Sequence, residues 1–163
     1  MSKSPKRALC IAFGIALGLA LGALAMQAHA DGSEQLPTAS EPSDPDYAAG
    51  KAAIAGENWK AAIEAFGRAA ARAPANADLQ NHLGYAHRKS GNLDTAFKHY
   101  GEALRLEPGH RGAHEYIGEA YLVKGDLGKA KEHLAALDRI CLFGCDEYRH
   151  LKKAVAEYEQ LKR

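Results

Sequence analysis

Two cysteines stand four residues apart in the stretch RICLFGCDEY, residues 139–148, and no other pair in the chain invites chemistry so directly. Three arrangements are open to Cys141 and Cys145. In an oxidising compartment an isolated pair closes a disulfide. Two thiolates also suit redox cycling or a soft metal such as Cu(I), with His133 or His150 able to add an imidazole. The third arrangement is a pair of reduced thiols packed without reacting. The C-x3-C spacing is not the C-x-x-C of thioredoxin-like enzymes, no β-α-β pattern surrounds it, and no C-x-x-C-H haem attachment occurs. The disulfide is therefore the expectation. Closing so short a loop contributes about 2 kcal/mol in the chain-entropy picture. A thiol-redox or copper-handling role is the alternative.

Other side chains offer less. His110 and His114 are four apart, as ligands on one helix face are. His87 and His114, however, fall where the periodic pattern described below wants packing residues, and His99 and His133 share one position in that pattern. No metal site is expected. There is no serine elbow, no phosphate-cradling glycine loop and no H-E-x-x-H, so neither an enzyme nor a bound cofactor is expected.

The compartment decides the cysteine chemistry, and the opening thirty residues bear on it. MSKSPKRALCIAFGIALGLALGALAMQAHA has a basic start, an apolar stretch from about Ala8 to Met26, and small residues at Ala28 and Ala30. That pattern is a secretory signal peptide with an A-x-A site, cleaved between Ala30 and Asp31. An uncleaved anchor is the competing reading, because the apolar run approaches spanning length and Gly14, Gly18 and Gly22 are spaced as in helix-packing motifs. Cleavage removes Cys10 and places the protein outside the cytoplasm, in the periplasm, with no membrane attachment. It also removes Lys3, Lys6 and Arg7, so the 21 basic side chains fall to 18 against 20 acidic ones. Nothing in that balance suggests a nucleic-acid binder, which usually shows a concentrated basic face. Residues 31–45, DGSEQLPTASEPSDP, are proline-rich and nearly devoid of apolar side chains, too few to offset chain entropy. They read as a disordered linker, with the folded domain at 46–163.

Within that domain the sequence repeats. Gly50, Gly84 and Gly118 are thirty-four residues apart, as are Ala62, Ala96 and Ala130, and Pro74 and Pro108. Phe66, Tyr100 and Leu134 follow each of those alanines by four. Turn signals recur at Gly56, Gly91 and Gly125, the first out of phase by one residue. Each unit reads as two amphipathic helices joined by a glycine-containing turn, with Gly84 and Ala96 letting helices approach closely. Leu83, Tyr100 and Leu104 fill the space between units. One such unit cannot bury its apolar face alone, so units must stack.

On these residues the segments 43–76, 77–110 and 111–144 resemble three tetratricopeptide repeats. The middle one, ADLQNHLGYAHRKSGNLDTAFKHYGEALRLEPGH, is the best match through Leu83-Gly84, Gly91, Ala96, Tyr100, Ala103 and Pro108. The resemblance implies an all-α solenoid. The third unit departs from the pattern, with Leu137 in place of Ala69 and Ala103, and Leu142 in place of Pro74 and Pro108. It does not lead into a fourth unit. DEYRHLKKAVAEYEQLKR instead puts Tyr148, Leu151, Val155, Tyr158 and Leu161 on one stripe, a capping helix over about 146–162 that covers the open end.

The resemblance further implies that the first helix of each unit lines a concave groove that binds a protein or peptide. Carried over by position, the groove residues are Tyr47, Lys51 and Ile54; Asn81, Tyr85, Arg88 and Lys89; and Glu115, Glu119 and Leu122. A plain solvated face is the bland alternative. Tyrosines beside Lys, Arg and Asn suit an extended peptide bearing a carboxylate. The acids of the third unit stand where a full carboxylate clamp continues basic, so a peptide of mixed charge is the expected partner. The sequence sets neither the identity of that partner nor an oligomeric state.

Overall fold

The computed structural model describes residues 44–162. The expected leader, its cleavage between Ala30 and Asp31, and the linker up to residue 43 lie outside the described residues. Those residues form seven helices: α1 (Pro45–Ala55), α2 (Trp59–Arg72), α3 (Ala77–Lys89), α4 (Leu93–Leu106), α5 (Arg111–Lys124), α6 (Leu127–Ile140) and α7 (Asp146–Leu161). No strand occurs among them. Each helix packs on its chain neighbours, and α5 packs on α7 as well as α6. The result is a solenoid of three helix pairs closed by α7.

The chain starts each helix by the same device. Asp44, Asn58, Asn76, Asn92, His110 and Asp126 each accept a backbone N–H three residues on, satisfying a donor the helix leaves unpaired. Each of the Asp and Asn caps is worth about 1 kcal/mol. Helix α7 has Cys145 at this position and no side-chain cap. The folded part begins slightly earlier than Asp46: Asp44 caps α1 and pairs with Arg72, whose guanidinium also reaches Asp46.

Glycine and an aromatic ring build the interior of each of the first two pairs. A Cβ on Gly50 would lie 2.6 Å from the Phe66 ring, and one on Gly84 2.6 Å from the Tyr100 ring. Both rings are fully buried. The third pair differs. The side chain over Gly118 is not Leu134 but Leu151 of α7, 2.6 Å from where a Cβ would sit. Leu134 is only half-buried beside it, in the cluster built around Leu137, Leu151 and Val155. The cap thus supplies what the repeat lacks. Leu161, at the far end of the expected stripe, is 85% exposed and takes no part.

The turn inside each pair needs one residue in the left-handed region. Gly91 (φ 86°) and Gly125 (φ 87°) supply it in the second and third pairs. In the first pair Glu57 does so at φ 53°, while the neighbouring Gly56 has an ordinary φ of −87°. The one-residue phase shift in the sequence is therefore a glycine standing beside the place where it is needed.

Candidate functional site

Helices α1, α3 and α5 carry the candidate groove residues, and α3 is the middle of the row. Tyr85 of α3 faces Tyr116 of α5 at a centroid distance of 4.9 Å, and Trp59 of α2 stands edge-on to Tyr85 at 6.0 Å. Arg88 lies over both tyrosines, 5.4 Å from the Tyr85 centroid and 5.7 Å from that of Tyr116. Lys89, exposed, stands 5.4 Å from the Trp59 centroid. Cations above aromatic faces are held by the ring quadrupole. The strip is amphipathic and half-exposed.

Arg88 is not a free cation. Its guanidinium meets Glu119 Oε2 at 2.7 Å, with only 13% of the side chain exposed, and its Nε–H points to the Tyr100 hydroxyl at 3.4 Å. Burial opposes its charge, and the surrounding Tyr100 and Glu119 more than offset this, so its pKa is raised. Arg88 and Glu119, expected to meet a partner, are thus joined to each other between the second and third pairs. Tyr116 titrates upward to about 12 through burial and the nearby Glu115.

The other candidate residues divide. Tyr47 is half-buried, its hydroxyl 3.2 Å from His82 Nε2, and burial raises its pKa. His82 stacks on Phe66 at 4.8 Å, and burial together with the Lys51 charge pulls its pKa down to about 4. Lys51 is exposed. Asn81 is buried at 5% exposure and its Oδ1 has no hydrogen-bond partner among the described residues. Glu115, at 6%, lies 3.1 Å from His150 Nδ1 of the cap, and burial and the Glu119 charge raise its pKa. Asn81 and Glu115 are therefore interior residues of the row, not surface contacts along it.

Sequence reasoning missed Trp59, Tyr116 and His82. The chain's single tryptophan, directly after a helix cap, was a signal for the first. Tyr116 and His82 share one repeat position, thirty-four residues apart, which only the packed structure marks as facing the previous pair's ring.

The remaining histidines fall into two matching sets. His99 accepts or donates at 2.8 Å with Gln80 and stacks on His87, while His133 meets His114 at 3.0 Å and stacks on Tyr121. Burial, then the His114 charge, lowers the His133 pKa to about 4. Among the described residues no group of three or more His, Cys, Asp or Glu side chains converges as a metal site. Nor is any described helix long and apolar enough to cross a membrane.

Cys141 and Cys145 are joined as a disulfide, with Cα atoms 5.7 Å apart. The loop between α6 and α7 turns at Gly144 (φ 80°), and Leu142 and Phe143 project into solvent.

A stacked row of helix pairs, each built on a small residue under a large one, defines an α-solenoid. Two family models described as tetratricopeptide repeat match residues 47–100 and 87–140, and the chain belongs to that family. No curated protein matches at the sequence level. Among solved structures, the Sgt2 TPR domain from Aspergillus fumigatus is similar at 25% identity and TM-score 0.65, covering 74% of this chain and 81% of that one. The TPR2B domain of yeast Sti1, in its pHsp70 complex, is similar at 21% identity and TM-score 0.64, covering 71% and 94%. The Yersinia enterocolitica type III secretion chaperone SycD, in complex with a peptide of the translocator YopD, is similar at 15% identity and TM-score 0.62, covering 72% and 92%.

Proposed function

We propose that this protein is a non-catalytic interaction module that holds a segment of a partner protein or peptide across α1, α3 and α5, and that it works in the periplasm after loss of its leader. One observation carries the reading: the Trp59–Tyr85–Tyr116 strip with Lys89 above it. Tryptophan and tyrosine are the side chains that most often dominate binding energy at interfaces. Structural neighbours of this fold in complex with pHsp70 and with a YopD peptide support the peptide reading. Because Arg88 is committed to Glu119, the cations left for a partner's carboxylate are Lys51 and Lys89.

The mature domain as bait in a periplasmic extract tests this. The recovered partner should bind wild-type protein and lose most of its affinity for a Tyr85→Ala, Lys89→Ala double variant by calorimetry. Equal affinity for both would place the interaction on another surface. A thiol titration of freshly isolated native protein addresses the thiol-redox or copper-handling alternative. The interaction reading expects no reactive thiol at Cys141 or Cys145.

A further inference from the structure

We propose that α7 carries both halves of a contact between two copies of this chain: the Leu142–Phe143 tip at its start enters an apolar cleft at its end on the second copy. The inference stands apart from the groove reading.

The exposed large apolar side chains among the described residues are Val123, Ile140, Leu142, Phe143 and Leu161, and they fall in two places. Ile140, Leu142 and Phe143 form a tip where α6 gives way to α7. Leu142 is 82% exposed and Phe143 fully so. The Cys141–Cys145 disulfide closes the loop that carries them, which leaves less freedom to lose on binding. Val123, 65% exposed, and Leu161 line a cleft of about 310 Å³ between the C-terminal ends of α5 and α7. Leu122, Ala154 and Tyr158 complete its apolar wall, and Glu157 is its one charged lining residue.

Contact between the tip and the cleft would remove apolar area from water on both sides. The tip does not reach the cleft of its own copy, because nearly the whole of α7, about 20 Å of helix, separates Phe143 from Tyr158. A second copy turned end for end brings each tip to the other's cleft, a two-fold contact that closes on itself. One occupant then accounts for both apolar sites. The contact takes up Leu122 and uses none of Trp59, Tyr85 and Tyr116.

The charges along α7 neither drive nor forbid this approach. Arg149 is paired with Asp146, Lys153 lies 3.7 Å from Glu157, Lys152 stands over the Tyr148 ring and His150 meets Glu115. Beside the tip, Asp138 and Arg139 are exposed, and Arg111 is 3.8 Å from Glu147. Beside the cleft, Lys124 and Lys162 sit over the rings of Phe97 and Tyr158. Each end thus carries both signs, and apolar contact sets the pairing. Two tips and the walls they meet come to roughly 1,000 Å². That is the low end for a specific interface, so the dimer is a weak one.

Sedimentation velocity of the purified protein from Asp31 onward tests the contact. The weight-average mass should rise from one chain toward two between about 1 and 100 µM. The rise should persist in about 0.5 M salt, since no ion pair drives it. A Leu142→Ser, Phe143→Ser double variant and a separate Val123→Glu variant should each weaken the association at least tenfold. Both changes fall on exposed side chains, so the melting temperature measured at a dilution where the protein is monomeric should stay that of the wild type. Replacing Phe143 with photoreactive p-benzoylphenylalanine should crosslink position 143 to Val123 or Leu161 of a second copy, read by mass spectrometry. A wild-type protein that stays one chain throughout would overturn the proposal, as would a dimer that either variant leaves intact or a crosslink confined to other helices. A monomer that still captures its partner through Tyr85 and Lys89 leaves the groove reading standing.

Discussion

Gly84 and Tyr100 occupy one space: a Cβ on the glycine would sit 2.6 Å from two carbons of a ring that is itself fully buried. The ring has nowhere to retreat. Gly84→Ala should therefore cost about 1 to 3 kcal/mol by overpacking, although alanine is the better helix former. Gly101 is helical too, is exposed, and has nothing within 4 Å of its added Cβ. Gly101→Ala should raise stability by about 0.5 to 1 kcal/mol. Urea unfolding of the two variants checks opposite signs for one chemical change.

Glu57→Gly should stabilise the first helix pair. Its φ of 53° is the conformation that Gly91 and Gly125 adopt at the same turn. Relief of left-handed strain, reduced by the greater freedom of glycine in the unfolded chain, leaves a gain of about 0.5 to 1 kcal/mol. The same unfolding measurement reads it, and a loss of stability would count against the turn geometry.

Arg88 and Glu119 should be coupled. Removing either leaves the other partly buried without its ion pair, so Arg88→Leu and Glu119→Leu should each cost about 1.5 to 3 kcal/mol, the worth of a hydrogen bond to a charged group. The double variant should cost less than the sum of the two singles. A double-mutant cycle by denaturant unfolding settles whether the pair acts between repeats. Additive losses would show that it does not.

Acid should weaken the fold through His82 and His133. Each has a pKa near 4 in the folded protein against an ordinary 6.5. Above 6.5 both are neutral in either state. Between 6.5 and 4 the unfolded chain takes up protons that the folded one refuses, so stability falls as pH falls through that window and then levels off for these groups. His82→Phe, which keeps the stack on Phe66, should flatten part of the slope. Melting temperatures measured from pH 7 to 4 provide the test.

Replacing Cys141 and Cys145 with serine should lower the melting temperature by a few degrees without preventing folding. The closed loop is short, worth about 2 kcal/mol by chain entropy. The cap is also held by Leu151 and Val155 in the core. Collapse of the whole solenoid in the double serine variant would mean that the disulfide, not the packing of α7, positions the cap.

The thirty-four-residue period was readable because Gly50, Gly84 and Gly118 lack a side chain for a reason that recurs at fixed spacing. Helix pairs, turns and the cap followed from it. What fills each glycine's space was not readable. Phe66 and Tyr100 each come from the same unit as the glycine they cover, but over Gly118 two leucines compete, and only the packing of α7 decides for Leu151. The groove was readable as a row of positions and not as a set of partners. Arg88 and Glu119 lie in different helices and look equally available in sequence, and their mutual neutralisation appears only when α3 and α5 are packed. Asn81 likewise reads as an ordinary polar residue until its burial without a donor is seen.

The placement of Leu151 over Gly118 also bears on how such a gene can lengthen. The unit 77–110 carries its own filler, Tyr100 for Gly84, so a tandem duplication of it delivers a self-sufficient copy. A duplication of 111–144 delivers a second Gly118 with no second Leu151 to cover it. Inheritance of extra units is thereby confined to the interior of the array, and the terminal unit and its cap pass on together as one indivisible segment.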